Sequence, residues 1–189
     1  MSNFATIMTA YQNFEQVQAF ARIDGALMAA LWVASFACFI GNFSYPLLGT
    51  VGFFIGGASL VYNTLRLKNF RDHVLEGIIS FRKAFSYSLL TYLYASLLFA
   101  VGQYVYFQFI DNGFLVSRYT AIMSMDEFKQ MMSVYGMTAS DMQMVIGNLT
   151  QLRPIEIVFQ FFTMNVLMGV FITPPVALIM KRTRKRFQH

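Results

Sequence analysis

Residues 65–85 read LRLKNFRDHVLEGIISFRKAF, charged at both ends of a short apolar pattern and flanked on each side by long apolar runs. How this stretch is placed decides the topology of the chain. Leu67, Phe70, Val74, Ile78, Phe81 and Phe85 recur at steps of three and four, which is one face of a helix. Arg66, His73, Glu76, Arg82 and Lys83 fall away from that face. The pattern predicts an amphipathic helix at a membrane interface, running on from a flanking span. Its apolar side sinks and its basic side meets anionic headgroups. Gly77 weakens it locally. His73 has no second His, Cys or paired carboxylate beside it in the sequence, and reads as a surface histidine rather than a proton site or ligand.

Four apolar runs surround this stretch, at residues 23–41, 46–65, 86–110 and 155–180. A spanning helix needs roughly 20 mainly apolar residues, because the hydrocarbon core is about 30 Å thick and a helix rises about 1.5 Å per residue. All four qualify. Buried helices of a soluble domain are the alternative. However, the chain is 57% hydrophobic and only 12% charged over 189 residues, against about 25% charged in an average soluble domain. Too little polar surface remains to cover four such runs. The net charge of +5 therefore argues for an uneven distribution across a membrane rather than for nucleic acid.

The bases are indeed uneven. The segment between runs two and three holds Arg66, Lys68, Arg71, Arg82 and Lys83, and the tail after run four holds Lys181, Arg182, Arg184, Lys185 and Arg186. The turn between runs one and two is uncharged. The 111–153 segment has Arg118, Lys129 and Arg153 against Asp111, Asp126, Glu127 and Asp141. The positive-inside rule then places both termini and residues 66–84 in the cytoplasm, with 42–45 and 111–153 outside. Arg22 agrees with that orientation. The N-terminal residues show no basic region, apolar core and small-residue cleavage site, so no cleavable signal peptide is expected. One cysteine, Cys38, allows no internal disulfide.

A 43-residue outer loop should have structure of its own. Ser124 and Glu127 have capping-box spacing, Met125, Phe128, Met132 and Tyr135 form an apolar stripe, and Gly136 sits where a C-cap glycine would. Thr138 with Asp141 opens a second short helix carrying Met142, Val145, Ile146 and Leu149. A small helical hairpin is expected, its apolar faces packed on each other or on the outer span ends. Seven methionines fall in this segment: Met123, Met125, Met131, Met132, Met137, Met142 and Met144. Thioethers can bind Cu(I), but Met also fills apolar stripes and adaptable surfaces. No His or Cys joins them, so no metal is assigned.

Polar groups inside spans are costly and worth locating. Asp24 and Glu156 lie near span ends, where water is expected to reach them, and no acid or base lies near a span centre. Gln103 and Asn165 are the polar groups that could line a path, Asn165 being read as a hydrogen bond between helices. Gly52 and Gly56 form a GxxxG that permits close helix approach. The signal does not separate a dimer face from packing within the chain, though four spans in one chain need such faces. Pro174-Pro175 should kink span four. Tyr45, Tyr104, Tyr106 and Phe107 read as an outer aromatic belt. HExxH, GxSxG, P-loop, GxGxxG and CxxC signatures are absent. No enzyme, catalytic residue or cofactor is expected.

Several short motifs in order, "RLKNFRDHVLEGIISFRKAFSYSLL", "YFQFIDNGFL" and "MDEFKQMMSVYGMTASDMQMVI", followed by a final span with a basic tail, resemble a family of bacterial integral membrane proteins known as domain of unknown function 4199. The resemblance rests on Gly77, Ser80-Phe81, Ala84-Phe85, Phe109-Ile110-Asp111 and Gly136-Met137, and covers nearly the whole chain. It implies four spans and a bacterial cytoplasmic membrane, and carries no activity or catalytic residue.

The expected object is an all-α, four-helix membrane bundle in one domain, with an inner interfacial helix and a short extracytoplasmic hairpin. Its surroundings are the lipid bilayer and a membrane-protein partner or further copies of itself, with no nucleic acid. The leading functional expectation is a non-enzymatic accessory or interaction subunit. The alternative is a small oligomeric transporter or lipid-handling protein using Gln103, Asn165, Pro174 and Pro175, which requires a water-accessible cavity lined by those residues.

Overall fold

A computed structural model describes the backbone of residues 2–182 and the side chains of residues 14–182. The bases Arg184, Lys185 and Arg186 therefore lie outside the described residues. The described chain is all-α: α1 (Ser2–Gly41), α2 (Leu47–Asn69), a π-helical turn (Phe70–Val74), α3 (Phe81–Phe109), α4 (Phe114–Met123), α5 (Asp126–Val134), α6 (Ala139–Gln151) and α7 (Pro154–Met180). Four stretches are long and apolar enough to cross a membrane: Phe14–Gly41, Leu47–Val74, Phe81–Phe109 and Pro154–Met180. The first begins well before residue 23. No Pro or Gly interrupts the sequence before Gly25, so nothing stops the helix where the apolar run begins.

The chain forms two compact units, one of residues up to Ala100 together with those from Phe162 on, the other Val101–Phe161. In the first unit α1 and α2 pair as an antiparallel hairpin closed by the Asn42–Pro46 turn, whose Tyr45 N–H donates to Gly41 O at 2.9 Å. Gly52 lets the two backbones approach. A Cβ there would lie 3.0 Å from both Cys38 Cβ and Ser35 O, and Ser35 Oγ donates to Gly52 O at 2.8 Å. Gly56 faces Ser35 Oγ in the same seam. The GxxxG is thus occupied within the chain by α1.

The amphipathic helix expected across residues 67–85 is not continuous. α2 runs on through the π turn, then breaks at Leu75–Ser80, and α3 starts afresh at Phe81. Glu76 (φ 53°) and Gly77 (φ 82°) take left-handed backbone, which glycine adopts freely and which ends a right-handed helix. Periodicity alone carried through this point; a return span cannot. The reversal is tied to the end of α7. Ile79 and Arg182 exchange backbone hydrogen bonds of 3.0 Å in both directions. Arg71, itself buried, donates from Nη1 to Met180 O at 3.2 Å, placing a cation on an orphan carbonyl at a helix C-terminus.

That antiparallel register continues into α3 and α7. Tyr92 lies as far beyond Ile79 as Gly169 lies before Arg182, and a Cβ on Gly169 would come 2.7 Å from Tyr92 Cβ. The same register sets Ala84 level with Ala177 and Ser88 level with Thr173, all four fully buried. One buried apolar cluster gathers Val17, Ala21, Leu67, Phe70, Ile79, Ala84, Tyr87 and Ala177, with Phe70 stacked on Tyr87 at 4.8 Å. A second joins Met28, Ala29, Tyr92 and Ala95, against which Trp32, Tyr62 and Ile172 pack. Both prolines of α7 stand inside a continuous helix.

The second unit holds three short helices between residues 111 and 153, not two. α4 was unmarked by obvious cap spacing. Its start is set by Asn112 (φ 46°) and Gly113 (φ 79°) and by Asp111, whose Oδ1 accepts from Leu115 N–H at 3.1 Å. α4 packs against α6. α5 buries no residue, so the expected stripe on it is not covered within the unit. Ser124 does not cap α5. Its hydroxyl donates backward to Thr120 O at 2.7 Å, a local bond that competes with capping, and Met125 takes the N-cap position. Gly136 (φ 80°) does end α5. Its N–H reaches Ser133 O, and Met137 N–H reaches Met132 O at 3.1 Å, which is a Schellman ending. Thr138 and Asp141 form the full capping box of α6.

Gly169→Leu drives a side chain into Tyr92 and should cost about 1–3 kcal/mol, lowering the unfolding midpoint followed by the fluorescence of Trp32, the only tryptophan. Gly57→Leu, with nothing within 4 Å of its Cβ position and a helix-weakening glycine removed, should not lower the midpoint. Asp141 is held below its ordinary range by hydrogen bonds from the Thr138 side chain and backbone. Its contribution to α6 is then complete above the unfolded carboxylate pKa, about 3.9, and is lost as pH falls through the lower folded value. Intrinsic-rate-corrected amide exchange over α6 should accelerate on that descent, and Thr138→Ala should flatten this dependence.

Candidate functional site

In the first unit a buried carboxylate forms an ion pair across two helices. Asp24 projects from α1 and is 1% exposed. Arg66 Nε of α2 donates to its Oδ1 at 2.5 Å, and the Tyr87 hydroxyl of α3 donates to its Oδ2. Three helices thus meet on one carboxylate. The expectation that water reaches Asp24 is overturned. Helix α1 begins about six turns before the apolar run, so Asp24 lies inside a packed helix rather than at a frayed end. Arg66, read as facing headgroups, turns inward for the same reason, since an unpaired buried carboxylate is far costlier than a half-buried guanidinium. The pair also respects the hairpin register: Asp24 stands as far from Cys38 on α1 as Arg66 stands from Gly52 on α2. Beside it lies a small cavity of about 40 Å³, which His73 and Asn69 also line. His73 is exposed at its rim.

A second feature is a set of buried polar atoms without partners among the described residues. In the first unit these are the Tyr62 and Tyr92 hydroxyls, both amide atoms of Asn63, Ser88 Oγ, Asn165 Nδ2 and Thr173 Oγ1. Asn165 was expected to hydrogen-bond between helices; its Nδ2 finds no partner. In the second unit both amide atoms of Gln103 are likewise unpartnered and the residue is 1% exposed. Gln103, Asn165, Pro174 and Pro175 line neither cavity described here.

The second unit has an open cleft of about 600 Å³ between α4, α6 and the span ends that flank them. Its polar lining is Asp111, Ser117, Thr120 and Thr150. Asp111 is committed to the Leu115 amide and to the Tyr106 hydroxyl. Outside it, Arg153 pairs with Glu156 at 2.7 Å, and Arg118 sits 5.1 Å over the Phe114 ring. Of the seven methionines, Met142 is buried while Met125, Met131 and Met144 are exposed. Among the described residues no three His, Cys, Asp or Glu side chains come together as metal ligands.

These features sit on a sequence with a family of its own. A family model described as "Protein of unknown function (DUF4199)" matches residues 23–182. The chain belongs to this family. The matched range takes in Asp24, Arg66, Tyr87 and the whole cleft of the second unit. No curated protein and no solved structure is significantly similar to it. The family identity agrees with the resemblance carried by the short motifs. It adds no site residue, so the Asp24–Arg66–Tyr87 centre and the cleft stand on geometry alone. Sequence reading missed both because their partners are distant along the chain. The one available signal for the centre was an acid on run one and a base at the far end of run two, after a turn too short to allow anything but an antiparallel hairpin.

Arg66→Met should destabilise the protein by about 2–4 kcal/mol, since it strands Asp24 in a buried site. Adding Asp24→Asn should recover part of that loss. A double-mutant cycle on the Trp32 unfolding signal measures the coupling, and additive losses would show that the pair does not act as a unit.

Proposed function

We propose that this is a non-enzymatic multi-pass protein of the bacterial inner membrane that serves as an accessory or interaction subunit. The observation that carries the reading is α5. It is an amphipathic helix with no buried residue, and it leaves Met125, Met131, Val134 and Tyr135 exposed. Exposed apolar groups held on an ordered helix are characteristic of surfaces that meet a partner, and methionine adapts to such surfaces.

The membrane setting is supported by the spans' own surface. Leu47, Phe53, Phe54, Phe171 and Ile179 are each at least 69% exposed. In water that surface would be unfavourable by about 25 cal/mol per Å²; in hydrocarbon it is at rest. The orientation rests on the basic segments, with residues 66–84 and both termini cytoplasmic and α4–α6 outside. With Cys38 replaced, Ser133→Cys should react with an impermeant thiol reagent from outside intact cells, and Asn69→Cys should not; the reverse pattern overturns the orientation.

Neither the cleft nor the small cavity beside Asp24 is lined by Gln103, Asn165 or the proline pair, so neither supports transport through them. A lipid-handling role is favoured by one separate observation, the outer cleft. The two readings part on one experiment, gentle extraction of the tagged protein from its native membrane with mass spectrometry of whatever accompanies it. The accessory reading expects a stoichiometric protein partner that Met131→Glu with Tyr135→Glu releases, at an unchanged unfolding midpoint. Extraction alone, or as a homo-oligomer carrying lipid, overturns it in favour of lipid handling.

A further inference from the structure

We propose that the outer cleft holds an acyl chain of a bilayer phospholipid. This rests on the membrane setting above and is independent of the accessory role. The volume, about 600 Å³, falls within the range of sites that enclose small ligands. Most of its wall is apolar: Phe107, Val116, Leu149, Leu152, Pro154 and Ile157.

The hydroxyl groups in the wall do not change that character. A hydroxyl has one proton to give. Ser117 donates its own to Phe114 O at 2.8 Å, Thr120 to Val116 O, and Thr150 to Gly147 O at 2.9 Å. With those donors spent on backbone carbonyls, the wall offers a solute few protons and is mainly aliphatic with the Phe107 ring, which suits a hydrocarbon chain better than a solute that needs donors. Water filling it would find few partners.

The source of the chain follows from position and charge. Phe107 belongs to the third membrane span and Pro154 and Ile157 to the fourth, so the wall of the cleft is continued by surfaces that lipid already covers. Asp111 is the only ionisable group in the lining. Its carboxylate opposes the carboxylate of a free fatty acid and leaves an esterified chain, whose linkage is uncharged, as the favoured occupant.

The test uses the full chain reconstituted in phosphatidylethanolamine–phosphatidylglycerol nanodiscs. A trace of phosphatidylethanolamine with a diazirine in its acyl chain is photolysed and the adducts are mapped by peptide. Labelling is expected to concentrate on residues 113–120 and 149–157, above that on the lipid-facing peptide containing Phe53 and Phe54. Val116→Trp, and separately Leu149→Trp, should lower cleft labelling about tenfold, equivalent to about 1.4 kcal/mol, with the Phe53–Phe54 peptide unchanged as the control for folding and insertion. A diazirine fatty acid should label the cleft weakly in the parent chain and more strongly in Asp111→Asn, which keeps an acceptor for Leu115 and removes the charge. Cleft labelling no higher than at Phe53–Phe54, or insensitive to both tryptophans, overturns the proposal while leaving the membrane setting intact. Fatty-acid labelling of the parent as strong as that by phosphatidylethanolamine overturns the assignment of the source. Absence of label on every span overturns the membrane setting itself.

Discussion

A carboxylate cannot sit between helices in an apolar environment without cations or donors to meet it, and the first unit is organised around that demand. Asp24 on α1 recruits Arg66 from α2 and Tyr87 from α3. Because the uncharged turn at Asn42–Pro46 is short, the α1–α2 register is already nearly decided where the chain reverses. The Gly52–Ser35 contact holds it midway and the ion pair closes it at the far end. A slip of one residue would turn Arg66 off Asp24's face by about 100° on a 3.6-residue helix. The charge pair therefore contributes more to choosing one register than to net stability, since desolvation of both partners consumes much of their attraction.

The reversal at Leu75–Ser80 obeys the same logic applied to backbone groups. Helix-end carbonyls turned toward packed protein need partners from the protein. Arg71 and the Ile79–Arg182 bridge supply them at the end of α7, and in doing so fix the register of α3 against α7. That register lays small residues opposite one another, and Gly169 admits Tyr92. Two helix pairs are thus each set by one polar lock and one glycine contact. Apolar packing fills in between them; on its own, lipid being as apolar as a side chain, it would give little reason for the helices to choose one neighbour over another.

The four apolar stretches, the Gly136 ending and the Thr138–Asp141 box were legible because each is a local pattern. A hydropathy window, a cap and a glycine need no knowledge of the rest of the chain. The break at Leu75–Ser80 was hidden because its apolar residues keep helical spacing through a point where Glu76 and Gly77 turn left-handed; the spacing reports which face is apolar, not whether the backbone continues. Asp24 was misplaced by a related error, in which the end of the hydrophobic run was equated with the end of the helix. α4 escaped notice because its determinant is a side chain, Asp111, acting as a cap from beyond a positive-φ pair. The cleft of the second unit has no sequence signature, since its wall comes from separate elements brought together only on folding.

Polar atoms of Tyr62, Asn63, Ser88, Tyr92, Asn165 and Thr173 that have no partner among the described residues stand in contrast to this satisfaction of charge and helix ends. Ser88 and Tyr92 share one face of α3, and Asn165 and Thr173 share one face of α7, a turn either side of the Gly169 contact with Tyr92. A neutral hydroxyl or amide left unpaired costs a few kcal/mol at most, far less than an unpaired ion. Small polar side chains in a membrane interior also find partners in one another or in the backbone at modest gain, about 0.6 kcal/mol on average. The seam between α3 and α7 is therefore held weakly by its side-chain polar groups and firmly by its ends and by Gly169. The consequence is a hierarchy within the first unit: the α1–α2 hairpin and its ion pair form the stiff part, and the middle of the α3–α7 seam is where alternative hydrogen bonds cost least to form.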